Sequence, residues 1–125
     1  MRRAYGAWAA TGSVDSLIDG FMDPEIEWIT APHAPEPGPH FGHDAVRRAL
    51  AAYLDSFELF TPEVERILET PRADELLVLA TTHTRGRGSG AEVSMPVAHL
   101  VRVRDGLIVR FQVFVDREQA IREFT

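Results

Sequence analysis

A strand that carries one imidazole among valines is where this chain has residues able to do chemistry. Side chains alternate along Val93–Arg104, so Val97, His99, Val101 and Val103 share one face. A neutral imidazole in such a row can give or take a proton near pH 7, which makes His99 the candidate catalytic residue. The plainer alternative is a core histidine bonded to a backbone group or a water. Trp28 and Thr30 share a face of Glu25–Thr30. Tyr53 lies on the apolar stripe of a long helix, and Phe111 and Val113 occupy the inward face of the last strand. These five are the expected ligand-binding residues. Tyr and Trp each offer one donor on a large apolar body, suited to orienting a ligand carbonyl. His83 ranks second: of the opposed sets Thr82/Thr84 and Thr81/His83/Arg85, neither is clearly apolar.

Several chemistries are excluded by residues the chain lacks. It has no Cys, hence no thiol nucleophile and no thiolate metal site. It has no Lys, hence no Schiff base, and it has no Asn. His33, His40 and His43 surround a Pro-rich segment, and three histidines can hold zinc. No helical or strand template fixes the first two and no Glu-containing metal motif is present, so no metal and no cofactor are expected. A loop over a pocket mouth is the better reading of that segment. The run Arg85-Gly86-Arg87-Gly88-Ser89-Gly90 lacks the Gly-Lys-Ser/Thr of a phosphate loop and reads as a connection between strands.

With 125 residues the chain makes one domain, residues 1–125, large enough for a core. Its net charge of −6 argues against nucleic acid or an anionic membrane as partner, and its 13 basic residues, all Arg, are scattered. No apolar run is long enough to cross a bilayer. Met1-Arg2-Arg3 leads into an amphipathic pattern with no cleavage-type tail, so a cytoplasmic location is expected.

The elements that must position these residues follow from periodicity. Arg2–Ala10 reads as a helix, and Ser13 is placed to cap a second with Val14, Leu17, Ile18 and Phe21 inward. Asp23-Pro24 stops it, and Glu25–Thr30 is a short strand. Ala31–Gly42, with Pro32, Pro35, Pro37 and Pro39, reads as an irregular loop. Asp44–Phe57 is the longest helix, with Val46, Ala49, Leu50, Tyr53, Leu54 and Phe57 inward. Strands follow at Glu63–Glu69, Glu75–Arg85, Val93–Arg104 and Leu107–Val115. Asp105-Gly106 between the last two is a strong hairpin signal. Asp116 with Gln119 three positions on is a capping-box-like start for a final short helix. Helices first and antiparallel strands after make an α+β plan.

Arg3-Ala4-Tyr5-Gly6-Ala7-Trp8, Met22 through Trp28, Gly42-His43-Asp44-Ala45-Val46 and Val101 through Val109, closed by Val115-Asp116, carry a resemblance over nearly the whole chain. Their order and spacing resemble the SnoaL-like polyketide cyclase group of the nuclear transport factor 2-like superfamily. The resemblance implies a cystatin-like, cone-shaped α+β barrel: a curved antiparallel sheet and three main helices around an apolar pocket, usually in a dimer. His99 resembles the pocket histidine of these cyclases. The cyclases and their limonene-epoxide-hydrolase relatives place an essential Asp where this chain has Val113. The ketosteroid-isomerase relatives carry theirs near Trp28. The family carboxylate is therefore absent from both positions, and the usual epoxide hydrolysis, which also needs Asn, is not expected.

Two readings follow. One is an enzyme in which His99 handles a proton for an apolar, carbonyl-bearing, polyketide-like substrate. The other is a small-ligand-binding or ancillary protein of the same fold with no catalytic set. Both take a small apolar molecule as partner. A homodimer is expected from the outer sheet face, where Phe114 stands beside Arg110 and Gln112 while Ala98 and Leu100 lie on the neighbouring strand.

Overall fold

The computed structural model describes residues 14–32 and 34–125. The expected helix at Arg2–Ala10, the Ser13 cap and His33 lie outside the described residues. The described elements are α1 (Val14–Phe21), β1 (Met22–Thr30), β2 (Gly38–Phe41), α2 (Gly42–Leu54), β3 (Phe57–Glu69), β4 (Glu75–Gly86), β5 (Glu92–Arg104), β6 (Leu107–Phe114) and α3 (Arg117–Phe124). The strands form one sheet in the order β2-β1-β6-β5-β4-β3.

The α+β class, the curved sheet and the three helices are as expected, with two corrections to the architecture. The sheet is mixed, because β1 runs parallel to β6 while every other pair is antiparallel. It is also open, with β2 and β3 as its edges, so it does not close into a barrel. Curvature comes with irregular pairing. The β3–β4 register shifts between Val64 and Arg66, inserting Glu65 as an extra residue. A one-residue insertion reverses side-chain parity and bends the strand. Val64 and Ile67 can therefore both pack against the inner core despite their odd spacing.

Local signals explain most boundaries. Asp105 and Gly106 have φ of 54° and 79°, the positive values that a type I′ hairpin turn requires. Asp116 caps α3 by accepting a hydrogen bond from the Gln119 backbone N–H at 3.0 Å. The helix expected to run to Phe57 ends at Leu54, and β3 begins at Phe57 rather than Glu63. Arg87, from the Gly-rich turn, fixes that joint. Its backbone N–H donates to the Ser56 carbonyl, and its guanidinium donates to the carbonyls of Asp55 and Phe57 at 3.0 and 3.1 Å. The Pro-rich stretch is not all loop: Gly38–Phe41 pairs with β1 as an edge strand, where a proline is tolerated.

Apolar residues fill both sides of the sheet. On the inner side Ile18 and Val46, from α1 and α2, pack on Met22, Ile26, Trp28, Val78, Val101, Ile108 and Phe111. Full burial of such a side chain is worth about 1.5–3 kcal/mol. On the outer side Leu77, Leu79, Ala98 and Leu100 lie under α3, which contributes Ala120, Ile121 and Phe124. Ala98 and Leu100 are thus 0% and 3% exposed. Two of the residues behind the homodimer expectation are therefore covered within the chain, while Arg110, Gln112 and Phe114 stay half-buried. No helix among the described residues is long and apolar enough to cross a membrane.

Candidate functional site

A cavity of about 130 Å³ lies between α2 and the inner face of the sheet. One wall is a row of rings set by strand register. Trp28 on β1 is the parallel partner of Phe111 on β6, and the two rings stack with centroids 4.1 Å apart and planes 4° from parallel. His99 on β5 comes next, its ring centroid 4.7 Å from that of Phe111. Val113 is the direct cross-strand partner of His99. The facing wall comes from α2, where Ala49, Leu50, Tyr53 and Leu54 fall at helical spacing, with Phe60 and Pro62 of β3 beside them. All six residues singled out in the sequence, His99, Trp28, Thr30, Tyr53, Phe111 and Val113, line this one cavity.

The polar groups of the lining are neutral. His99 is 8% exposed, and loss of hydration lowers its pKa from 6.5 to about 4. The imidazole is therefore uncharged at neutral pH. Tyr53 sits edge-on to Phe57 and Phe60, with centroids at 5.3 and 5.7 Å, and burial raises its pKa. Its phenol keeps the proton and can donate it in a hydrogen bond. The Thr30 hydroxyl donates to the Glu36 carbonyl at 3.0 Å, holding the following loop, and Ala31 and Ala34 of that loop line the cavity as well. Thr82 donates to the Met95 carbonyl at 3.3 Å. No Asp, Glu or Arg is among the described lining residues. Asp116 caps α3, and Val113 occupies the position from which a carboxylate would meet His99.

The other described histidines bond to groups outside the cavity lining. His83 lies on the opposite side of β4 from Thr82. Its Nε2 is 2.8 Å from Glu63 Oε2 and its Nδ1 is 2.8 Å from Ser94 Oγ. These three groups form a solvent-exposed chain away from the cavity. His40 Nε2 donates to the Glu36 carbonyl at 2.7 Å, and His43 Nε2 donates to the Met22 carbonyl at 2.9 Å, tying α2 to the start of β1. Among the described residues no group of three or more His, Asp or Glu side chains is placed to hold a metal ion. Thr82 was missed as a lining residue because alternation alone could not orient β4. Val78 and Ala80 on one face and Leu77 and Leu79 on the other are all buried.

Comparison with known proteins agrees with this geometry. The family model described as a SnoaL-like domain matches residues 1–111. No curated protein matches the chain. An NTF2-like protein of unknown function from Burkholderia pseudomallei superposes with a TM-score of 0.80 at 19% identity, over 99% of this chain and 93% of that one. TerC, co-crystallised with polyporic acid, gives a TM-score of 0.76 at 20% identity, over 97% and 91%. A protein from Jannaschia sp. CCS1 named as a SnoaL-like polyketide cyclase gives 0.72 at 19% identity, over 94% and 82%. At these identities the structural likeness establishes the fold.

Proposed function

Because the chain belongs to the SnoaL-like domain family, we propose that its cavity is the binding pocket for a small, largely apolar molecule carrying a polar group such as a carbonyl. The observation that supports this best is the chemistry of the lining: aromatic and aliphatic side chains with a few neutral hydrogen-bonding groups. Tyr53 donates to the ligand's oxygen, and neutral His99 orients it as a hydrogen-bonding partner. Solved relatives support the reading, since TerC was crystallised with polyporic acid.

A second reading, acid/base catalysis through His99 as in a polyketide cyclase, is favoured by the position of this imidazole in the same cavity. Against it stands the cost of the step. A base with a pKa of about 4 takes a proton reluctantly, and no lining carboxylate stabilises the imidazolium that would form. Binding is therefore the primary role in this proposal.

The test is binding of neutral aromatic ketones, followed by thermal shift and by the fluorescence of Trp28 in a Trp8→Phe background. Val113→Phe fills the cavity beside His99 and should abolish both signals while circular dichroism shows a folded protein. Equal binding by parent and variant would place the ligand elsewhere. His99→Gln distinguishes the two readings: it should weaken binding without creating or removing turnover. Turnover in the parent that vanishes in His99→Gln would establish the catalytic one.

A further inference from the structure

Size and charge narrow the ligand class further. Roughly 150 Å³ of closed apolar space accommodates one benzene ring, whereas drug-sized ligands use about 300 Å³ or more. The cavity here is about 130 Å³. One wall is a row of three rings, Trp28 stacked on Phe111 and His99 tilted by 43° against Phe111. The helix opposite brings Ala49, Leu50 and Tyr53 against the same space.

Charge is the second filter. The chain carries 13 Arg and 19 acidic residues, yet none of the described lining residues is charged. An anion entering this space would lose its hydration and meet no cation among the described lining residues, and an unpaired ion is excluded from such an environment. The neutral state of His99 shows the same effect on a side chain, since the space disfavours even its own imidazolium.

We infer that the pocket selects uncharged ligands of single-ring size bearing one carbonyl or hydroxyl, and rejects both carboxylates and multi-ring polyketide skeletons. This inference rests on the cavity being the ligand site. It departs from what the family resemblance alone implies, because a multi-ring product does not fit the space.

Three probes test it against the intact chain, each titrated by calorimetry and by intrinsic tryptophan fluorescence. The probes are acetophenone, benzoate, which replaces its ketone methyl by a charged oxygen, and a neutral four-ring ketone. Acetophenone should bind, benzoate at least 100-fold more weakly, and the four-ring ketone not at all. Ala49→Gly, which removes one methyl group from the α2 wall, should tighten binding of a methyl-substituted acetophenone while leaving benzoate rejected. Benzoate bound within 10-fold of acetophenone would overturn the charge filter. Tighter binding of the four-ring ketone would overturn the size limit while leaving the pocket reading intact. Failure of all three probes to bind would overturn the pocket reading itself, and this inference with it.

Discussion

Neighbouring residues on β5 meet opposite environments. Ala98 is buried in close packing under α3, and His99, one residue on, faces a cavity. On the outer face several charged groups of the sheet are paired with a counter-charge. Buried Glu75 meets Arg102 at 3.1 Å, Glu27 meets Arg110 at 3.1 Å, and Glu65 meets Arg117 at 3.3 Å. On the inner face the described lining contains no charge at all, and its one titratable cation-former is held neutral. The outer face is built to be finished by its own chain. The inner face instead leaves apolar space beside a few neutral polar groups, the lining that suits the proposed ligand site.

The largest effect that separates the faces should come from Phe111. Its ring joins Trp28 to His99, so Phe111→Ala removes two ring contacts and enlarges the cavity. A loss of about 3–5 kcal/mol in urea unfolding is expected. The outer-face counterpart Leu100→Ala should cost about 2–5 kcal/mol and leave acetophenone binding unchanged. Loss of binding in Leu100→Ala would show that the faces are coupled.

Acid should weaken the inner face next. The folded-state pKa of His99 lies below the ordinary value, at about 4 against 6.5, so the unfolded chain binds this proton more readily. The stability involved is complete above pH 6.5 and is lost as pH falls toward 4. The limit is about 3 kcal/mol from this group alone. Unfolding free energies measured at intervals across that window should fall more steeply in the parent than in His99→Leu. Parallel curves would show that the imidazole is hydrated in the folded state.

How far these faces were legible in the sequence depended on whether the signal was local. The Asp105-Gly106 turn, the Asp116 cap and the alternation around His99 are set by residues adjacent in the chain, and each is present. The α2 stripe likewise brought Tyr53 to the cavity. What escaped was long-range. Gly38–Phe41 becomes a strand only because β1 is there to pair with it, and β1 lies parallel to β6 through a partner some eighty positions away, as the Glu27–Arg110 pairing shows. Arg87 ends α2 from across the Gly-rich turn. Ala98 and Leu100 looked exposed because their cover, α3, arrives after both strands and carries its apolar residues at helical spacing over only two turns.

The Asp116 cap gives a smaller, local effect. Asp116→Ala removes the acceptor for the Gln119 N–H and should cost about 1 kcal/mol. Because α3 covers Ala98 and Leu100, fraying should uncover the outer core first. Hydrogen exchange should quicken in α3 with little change at the cavity-lining residues of α2. Equal quickening in both helices would mean that the two cores open together.

The smallest effect should come from the exposed chain of Glu63, His83 and Ser94. Its members have the residue types and the hydrogen bonds of a catalytic relay, with both links at 2.8 Å. Its setting differs from that of His99. Glu63 and His83 side chains are 64% and 41% exposed, so water competes for each bond and salt screens the pair. Exposed pairs of this kind contribute less than about 1 kcal/mol. Glu63→Gln should therefore shift the urea midpoint only slightly, and still less at high salt. Binding of acetophenone should stay at the parent value, because the chain points away from the cavity. A drop in binding in Glu63→Gln would show that the outer face reaches the site through β4, and the division between a self-completed face and a ligand-completed face would fail.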